Sequence, residues 1–188
     1  MRRKKTQQGF TLLEMIVSIG IFSVVIITTI GIIISVSNAQ LKVASIQSTQ
    51  DNIRFSIELL TKELNTGANY STASPVCGGI GSEIRFDATS GRRVYFWDST
   101  NLRIMRAKQD ITSADCSGAT GKVVQFTASD VFIDRLNFVV RGNTLGSSDG
   151  QPIVTITLRT RSKTTKVSLQ SIMDIQMTIV QRIRDNTP

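Results

Sequence analysis

Histidine is absent from this chain of 188 residues. Without an imidazole there is no Ser-His-Asp or Cys-His nucleophile system, no histidine proton shuttle and no His-ligated zinc. The two cysteines, Cys77 and Cys116, are too few for a four-Cys metal site and too far apart for a C-x-x-C redox pair. With only 13 glycines and 3 prolines, neither a collagen-like repeat nor a low-complexity linker fits. Charged residues are sparse at 19%, against 40% hydrophobic, so the chain is not a disordered polyelectrolyte and has enough apolar matter for a core. No paired carboxylates, phosphate-cradling glycine loop or nucleophile motif stands out. The expectation is a protein that is not an enzyme and uses no cofactor and no metal.

What is present is strongly polarised along the chain. The net charge of +8 points toward nucleic acid or an anionic membrane surface, but half of it comes from Arg2, Arg3, Lys4 and Lys5, ahead of Gly9 and without an acid among them. From Gly67 onward the balance is modest, 15 bases against 10 acids. Directly behind the basic leader, Met15 to Ile34 are twenty residues without a charge, rich in Ile and Val. As a helix that run spans about 30 Å, the thickness of a bilayer's hydrocarbon core, and it exceeds the usual h-region of a signal peptide. The leader bases place the N-terminus in the cytoplasm and everything beyond Ile34 outside. In an extracytoplasmic body Cys77 and Cys116 are either one disulfide or two buried thiols. As a crosslink closing about 40 residues they would contribute roughly 4 kcal/mol.

Glu14 stands at the start of the apolar run. A carboxylate at membrane depth costs on the order of 3 kcal/mol unless it is neutralised. An interfacial position beside Lys4 and Lys5 would suffice for an ordinary signal anchor. The whole string Gly9-Phe10-Thr11-Leu12-Leu13-Glu14, behind a short basic leader, resembles the prepilin signature of type IV pilins and of the pseudopilins of type II secretion systems. The resemblance implies cleavage after Gly9 by the membrane prepilin peptidase and N-methylation of Phe10 as the new first residue. It also implies pairing of the Phe10 amine with Glu14 of a neighbouring subunit. The partners implied are other pilins or pseudopilins, prepilin peptidase and an inner-membrane assembly platform. A competing site for ordinary signal peptidase, Ser37-Asn38-Ala39 before Gln40, would instead release a soluble secreted protein.

Beyond the span, Val36, Ala39, Val43, Ile46, Gln50, Ile53, Ile57, Leu60 and Leu64 recur at steps of three and four, and neither Pro nor Gly occurs from Ile32 to Thr66. One helix is expected to continue from the membrane, with Gly67 as its C-cap. Gly31 stands where major pilins of the family often carry proline. From Glu83 onward short alternating runs predict strands at Glu83 to Asp87, Arg93 to Asp98, Leu102 to Ala107, Lys122 to Thr127, Phe132 to Arg141, Ile153 to Arg161 and Thr165 to Met177. The turns fall at Ser90-Gly91 and at Asp98 to Asn101. Residues 67–82 and Gly142 to Gln151 read as loops.

The organisation expected is a leader over 1–9, an assembly helix half over 10–35, an amphipathic half over 36–66 and an antiparallel β head over 67–188. This is an α+β, pilin-like fold. The strand-rich head resembles those of minor pilins and J-type minor pseudopilins. Two weaker candidates complete the inventory. Asn143, Ser148 and Asp149 suggest a calcium loop but match no EF-hand spacing. Arg159, Arg161, Lys163 and Lys166 form an acid-free cluster that would contact DNA phosphates in an uptake pilus, or simply protect an edge strand. Tyr95, Phe96 and Trp97 are consecutive and point to alternate faces, so they form no stacking platform.

Overall fold

The structure, a computed structural model, describes residues 9–142, 151–164 and 170–182. Helix α1 (Leu12–Asn65) is followed by strands β1 (Ala68–Ser71), β2 (Glu83–Ala88), β3 (Gly91–Asp98), β4 (Arg103–Ala107), β5 (Val123–Gln125), β6 (Val131–Arg141), β7 (Ile153–Ser162) and β8 (Ile172–Val180). The expected α+β architecture is what folds: one long N-terminal helix with antiparallel sheets packed on its distal part. The chain divides after Val43 into two units.

In the first unit α1 is helical throughout and its apolar side chains are exposed. Ile and Val are mediocre helix formers in water, but an unbroken helix is what lets an apolar segment satisfy its own backbone away from water. The hydroxyls that interrupt the run satisfy themselves in the same way. Ser18 donates to the Glu14 carbonyl at 2.7 Å, Ser23 to that of Ile19 at 2.8 Å, and Thr29 to that of Val25 at 2.7 Å. By length and composition this helix can cross a membrane.

In the second unit α1 buries Thr49, Ile53, Ser56, Leu60 and Leu64. Of the stripe read from the sequence, the distal members Ile53, Leu60 and Leu64 are buried and Ile57 packs against them, while Gln50 is exposed and Thr49 and Ser56 lie inside in addition. A strict heptad runs at 3.5 residues per turn, whereas the helix turns at 3.6, so the buried face drifts off the pattern. The two polar residues tolerate burial because their hydroxyls donate to the carbonyls of Ser45 (2.9 Å) and Asn52 (3.1 Å). Gly67 follows the helix as expected, but not as a left-handed cap. A Cβ there would stand 2.6 Å from the Phe86 ring, so close packing requires the glycine. The buried Tyr70 hydroxyl bonds the carbonyls of Leu64 and Gly67, and burial pushes its pKa up to about 12.

The strands form two antiparallel meanders, β1 to β5 in one sheet and β6 to β8 in the other. The main core lies between α1 and the sheets and includes Leu60, Leu64, Phe86, Tyr95, Phe138 and Ile156. The opposite face of the first sheet carries a second core of Val94, Phe96, Met105, Ala107, Ile111 and Val123, with Cys77 packed against it. Tyr95 and Phe96 therefore point to opposite faces, as expected from their adjacency, yet both are buried. The sheets are joined by the indole N–H of Trp97 donating to the Ile133 carbonyl at 2.8 Å and the Ile133 N–H donating to the Leu102 carbonyl at 2.7 Å.

Two expectations need correction. Residues 67–82 are not all loop, because β1 pairs with β2 at Ala68↔Asp87 and Ser71↔Arg85. This strand is too short and polar to show alternation. Among the described residues the last strand is β8, which runs from Ile172 to Val180, three residues beyond the expected end at Met177. Register pairs Arg161 with Ile172 and Ile153 with Val180, and the described Gln170 and Ser171 lie outside the strand. Residues 165–169, where the expected strand begins, and 143–150, which include most of the second expected loop, lie outside the described residues.

Leu60→Ala removes a fully buried side chain from the main core and is expected to cost about 3 kcal/mol. Phe55→Ala, on the exposed face of α1, should stay within about 0.5 kcal/mol. Urea unfolding of the detergent-solubilised chain measures both.

Candidate functional site

The sequence motif occupies the beginning of α1. Gly9, Phe10 and Thr11 precede the helix and have no regular structure. Among the described residues, no atom beyond the chain neighbour comes within 4 Å of where a Gly9 side chain would begin, and Phe10 is 81% exposed. The peptide bond between them is thus presented in open, non-helical chain. Thr11 stops the helix there: its hydroxyl accepts the Glu14 N–H at 3.3 Å and its carbonyl accepts the Met15 N–H at 3.3 Å, the arrangement of an N-cap. Glu14 falls in the first turn, where the helix dipole favours an anion. The capping role of Thr11 was not read from the sequence, although a threonine three residues before an acid at the start of an apolar run is a recognisable N-terminal signal.

In the head, Cys77 and Cys116 form the disulfide, with S–S 2.00 Å and Cα–Cα 5.3 Å. A buried carboxylate holds one of its two loops. The Glu83 Oε2 accepts the N–H groups of Val76, Cys77 and Gly78 at 2.9, 2.8 and 2.9 Å, while Oε1 takes the Arg85 Nε at 2.7 Å. Nothing in the sequence separates Glu83 from an ordinary strand-end charge, because three of its donors are backbone. On the partner loop, Asp115 closes a short 3-10 turn (Ser113–Asp115). Its pKa is held well below the ordinary carboxylate range, first by the Thr112 N–H and also by Lys122, whose Nζ lies at 3.2 Å.

A further carboxylate, Glu63 near the end of α1, is shared. It accepts the Tyr95 hydroxyl at 2.6 Å and lies 3.5 Å from both Arg93 Nε and Arg106 Nη1. Burial first, and this bond second, raise the Tyr95 pKa.

The basic cluster of the second sheet is engaged within the fold. Arg159 meets Asp174 through Nε and Nη2 at 2.6 and 2.8 Å, and holds that carboxyl below its usual range. Arg161 donates to Asp134 at 3.1 Å and lies over the Phe132 ring, whose centroid is also 5.5 Å from Lys163 Nζ. Lys166, like Asn143, Ser148 and Asp149 of the calcium-loop candidate, lies outside the described residues.

The depressed pKa of Asp115 gives a pH signature with a definite sign. A carboxylate whose folded pKa lies below its unfolded value contributes stability above about pH 4, and that contribution is lost as the pH falls toward the folded value. Asp115→Asn should therefore lower stability at neutral pH and flatten the profile between about pH 4 and pH 2. Denaturant midpoints across that range check it.

Residues 4–30 match the family model of the prokaryotic N-terminal methylation motif. No curated protein and no solved structure matches the chain. The matched stretch contains Gly9, Phe10 and Glu14 together with the first part of α1. It supports a type IV pilin- or pseudopilin-like protein of the kind processed by prepilin peptidase, anchored in a membrane through its apolar helix.

Proposed function

We propose that this chain is a minor pilin or minor pseudopilin, a structural subunit rather than an enzyme. In this reading the precursor sits in the cytoplasmic membrane with its leader inside and its head outside. Prepilin peptidase cuts after Gly9, and an inner-membrane platform feeds the processed chain into a type IV pilus or secretion pseudopilus. The observation that carries the reading is the exposed, non-helical Gly9–Phe10 bond set just before the Thr11 cap of an apolar helix with Glu14 in its first turn.

Cleavage does two electrostatic things at once. It removes Arg2, Arg3, Lys4 and Lys5, which hold the precursor's end at the cytoplasmic surface. It also creates an ammonium at Phe10 beside a low-dielectric phase, where a carboxylate partner is worth far more than in water. The Glu14 of a subunit already in the bundle is that partner, so charge pairing sets the register of the incoming helix. The head, 67–188, is large and rich in strands, which favours a minor over a major subunit.

Two competing assignments lose support. Ser37, Asn38 and Ala39 lie inside α1, so the ordinary signal-peptidase site is helical rather than extended. Arg159 and Arg161 already meet carboxylates, which weakens the case for a DNA-contacting row.

The mature protein isolated from cells that possess the peptidase should begin with N-methylated Phe10, read by mass spectrometry of the terminal peptide. A terminus at Gln40, or retention of Met1 to Lys5, would refute the assignment. Glu14→Leu should leave cleavage largely intact and reduce recovery in sheared filaments by about tenfold, the value of one ion pair of roughly 1.4 kcal/mol. Immunoblots of the membrane and filament fractions separate the two effects.

A further inference from the structure

Four cations share one face of the first sheet without the acids to balance them. Tyr95, Arg106 and Val124 stand in one cross-strand row of β3, β4 and β5. Two positions along, alternation brings Arg93, Lys108 and Lys122 to the same face. Like charges opposed across strands are destabilising, so this row weakens the sheet unless a further anion enters it. Beside it lies a cleft of about 360 Å³, lined by Arg106, Lys108, Gln109, Gly121, Lys122 and Val124. Three of these six residues are bases and none is an acid, which makes the cleft a receptor for negative charge.

The carboxylates nearby are too few to neutralise the group. Glu63 is divided between Arg93 Nε and Arg106 Nη1, each at 3.5 Å, and its hydrogen bond comes from the Tyr95 hydroxyl at 2.6 Å. The Arg106 Nε is buried and has no acceptor among the described residues. Lys122 reaches Asp115 at 3.2 Å, yet 43% of its side chain stays exposed. Among the described residues Lys108 forms no ion pair, and Asp110, two positions on, meets Arg92 at 3.8 Å instead. Four bases thus stand against two carboxylates, Glu63 and Asp115, which leaves an excess of two positive charges.

We propose that this cleft binds a phosphate group in its dianionic form, with Lys108 and Lys122 holding its oxygens and Arg106 forming the inner wall. The two negative charges of the ligand match the excess of the site. A lysine ammonium is a compact charge with three rotatable donors, so two of them can follow a tetrahedral oxyanion that offers strong acceptors in several directions. A carboxylate would leave one positive charge over. A nucleic acid spreads its phosphates along a backbone, whereas these bases converge on a single cleft. The site is built from the head alone and does not depend on the pilin reading.

The test titrates the full-length, disulfide-bonded chain in a non-ionic detergent at pH 8 (about two units above the second phosphate pKa) with two probes. One is inorganic phosphate. The other is dihexanoyl phosphatidic acid, a short-chain lipid whose headgroup is a phosphate monoester. Calorimetry should find saturable binding that weakens about tenfold in Lys108→Gln and about tenfold in Lys122→Gln, the effect of one charged hydrogen bond. Arg135→Gln, which removes an exposed base of the second sheet, should leave it unchanged. Lys108→Gln breaks no listed carboxylate contact, so its effect is separate from any loosening of the Asp115 turn by Lys122→Gln. Thiol labelling should find Cys77 and Cys116 still oxidised in each variant. Phosphate binding at least as tightly as the lipid assigns the cleft to a soluble phosphate, and tighter binding of the lipid assigns it to a headgroup. Lack of saturable binding of both probes would overturn the proposal, as would unchanged affinity in Lys108→Gln or equally effective displacement by acetate.

Discussion

A carboxylate at the mouth of an apolar helix is a standing electrostatic problem, and most of what is distinctive about this chain follows from how it can be solved. Glu14 receives partial compensation from the helix dipole and from its position in the first turn beside the Thr11 cap. Neither supplies a full counter-charge. A signal anchor that stayed uncut could rely on the leader bases, but proteolysis at Gly9 would remove those and leave one new cation, the Phe10 amine. The segment is otherwise self-sufficient, with each serine and threonine hydroxyl discussed above folded back onto a helix carbonyl. The ionic group at its beginning is thus the feature that most needs another molecule.

The head handles its own charges differently. Glu63, Glu83 and Asp115 are each surrounded by donors from more than one element, so they act as ties between segments rather than as solvated decoration. Glu63 binds the helix to the first sheet, and Glu83 with the disulfide secures the loops over that sheet's far face. That face explains why β3 buries four consecutive residues, Arg93 to Phe96. An antiparallel strand usually alternates because one side meets water, whereas here both sides carry a core.

Much of this was legible in advance. The apolar run, the helix continuing through it and most strands follow from periodicity and spacing, since a strand or helix face is a repeat that a sequence displays directly, and the disulfide was one of two readings open to a chain with two cysteines. What was hidden has identifiable physical causes. Thr49 and Ser56 are buried because a local hydroxyl-to-carbonyl bond makes them acceptable inside, and polarity alone pointed the other way. Strand β1 carries no alternating pattern, so only its partner β2 reveals it. Strand β8 begins at Ile172, so Gln170 and Ser171, polar residues inside the expected run, fall outside it. In the candidate site, Gly9, Phe10 and Glu14 were recognised from their order. Glu83 was missed because its Oε2 partners are backbone amides that any residue could provide.

Both sheets are simple meanders in which every strand lies beside its sequence neighbour. Such a topology keeps contact order low and lets each hairpin close as soon as its second arm arrives. In the proposed orientation, with the head threaded outward behind an anchored helix, the head can be built progressively against a surface already in place. The Cys77 to Cys116 bond then becomes available only after β2, β3 and β4 have emerged, so covalent locking follows the hairpins it encloses instead of constraining their formation.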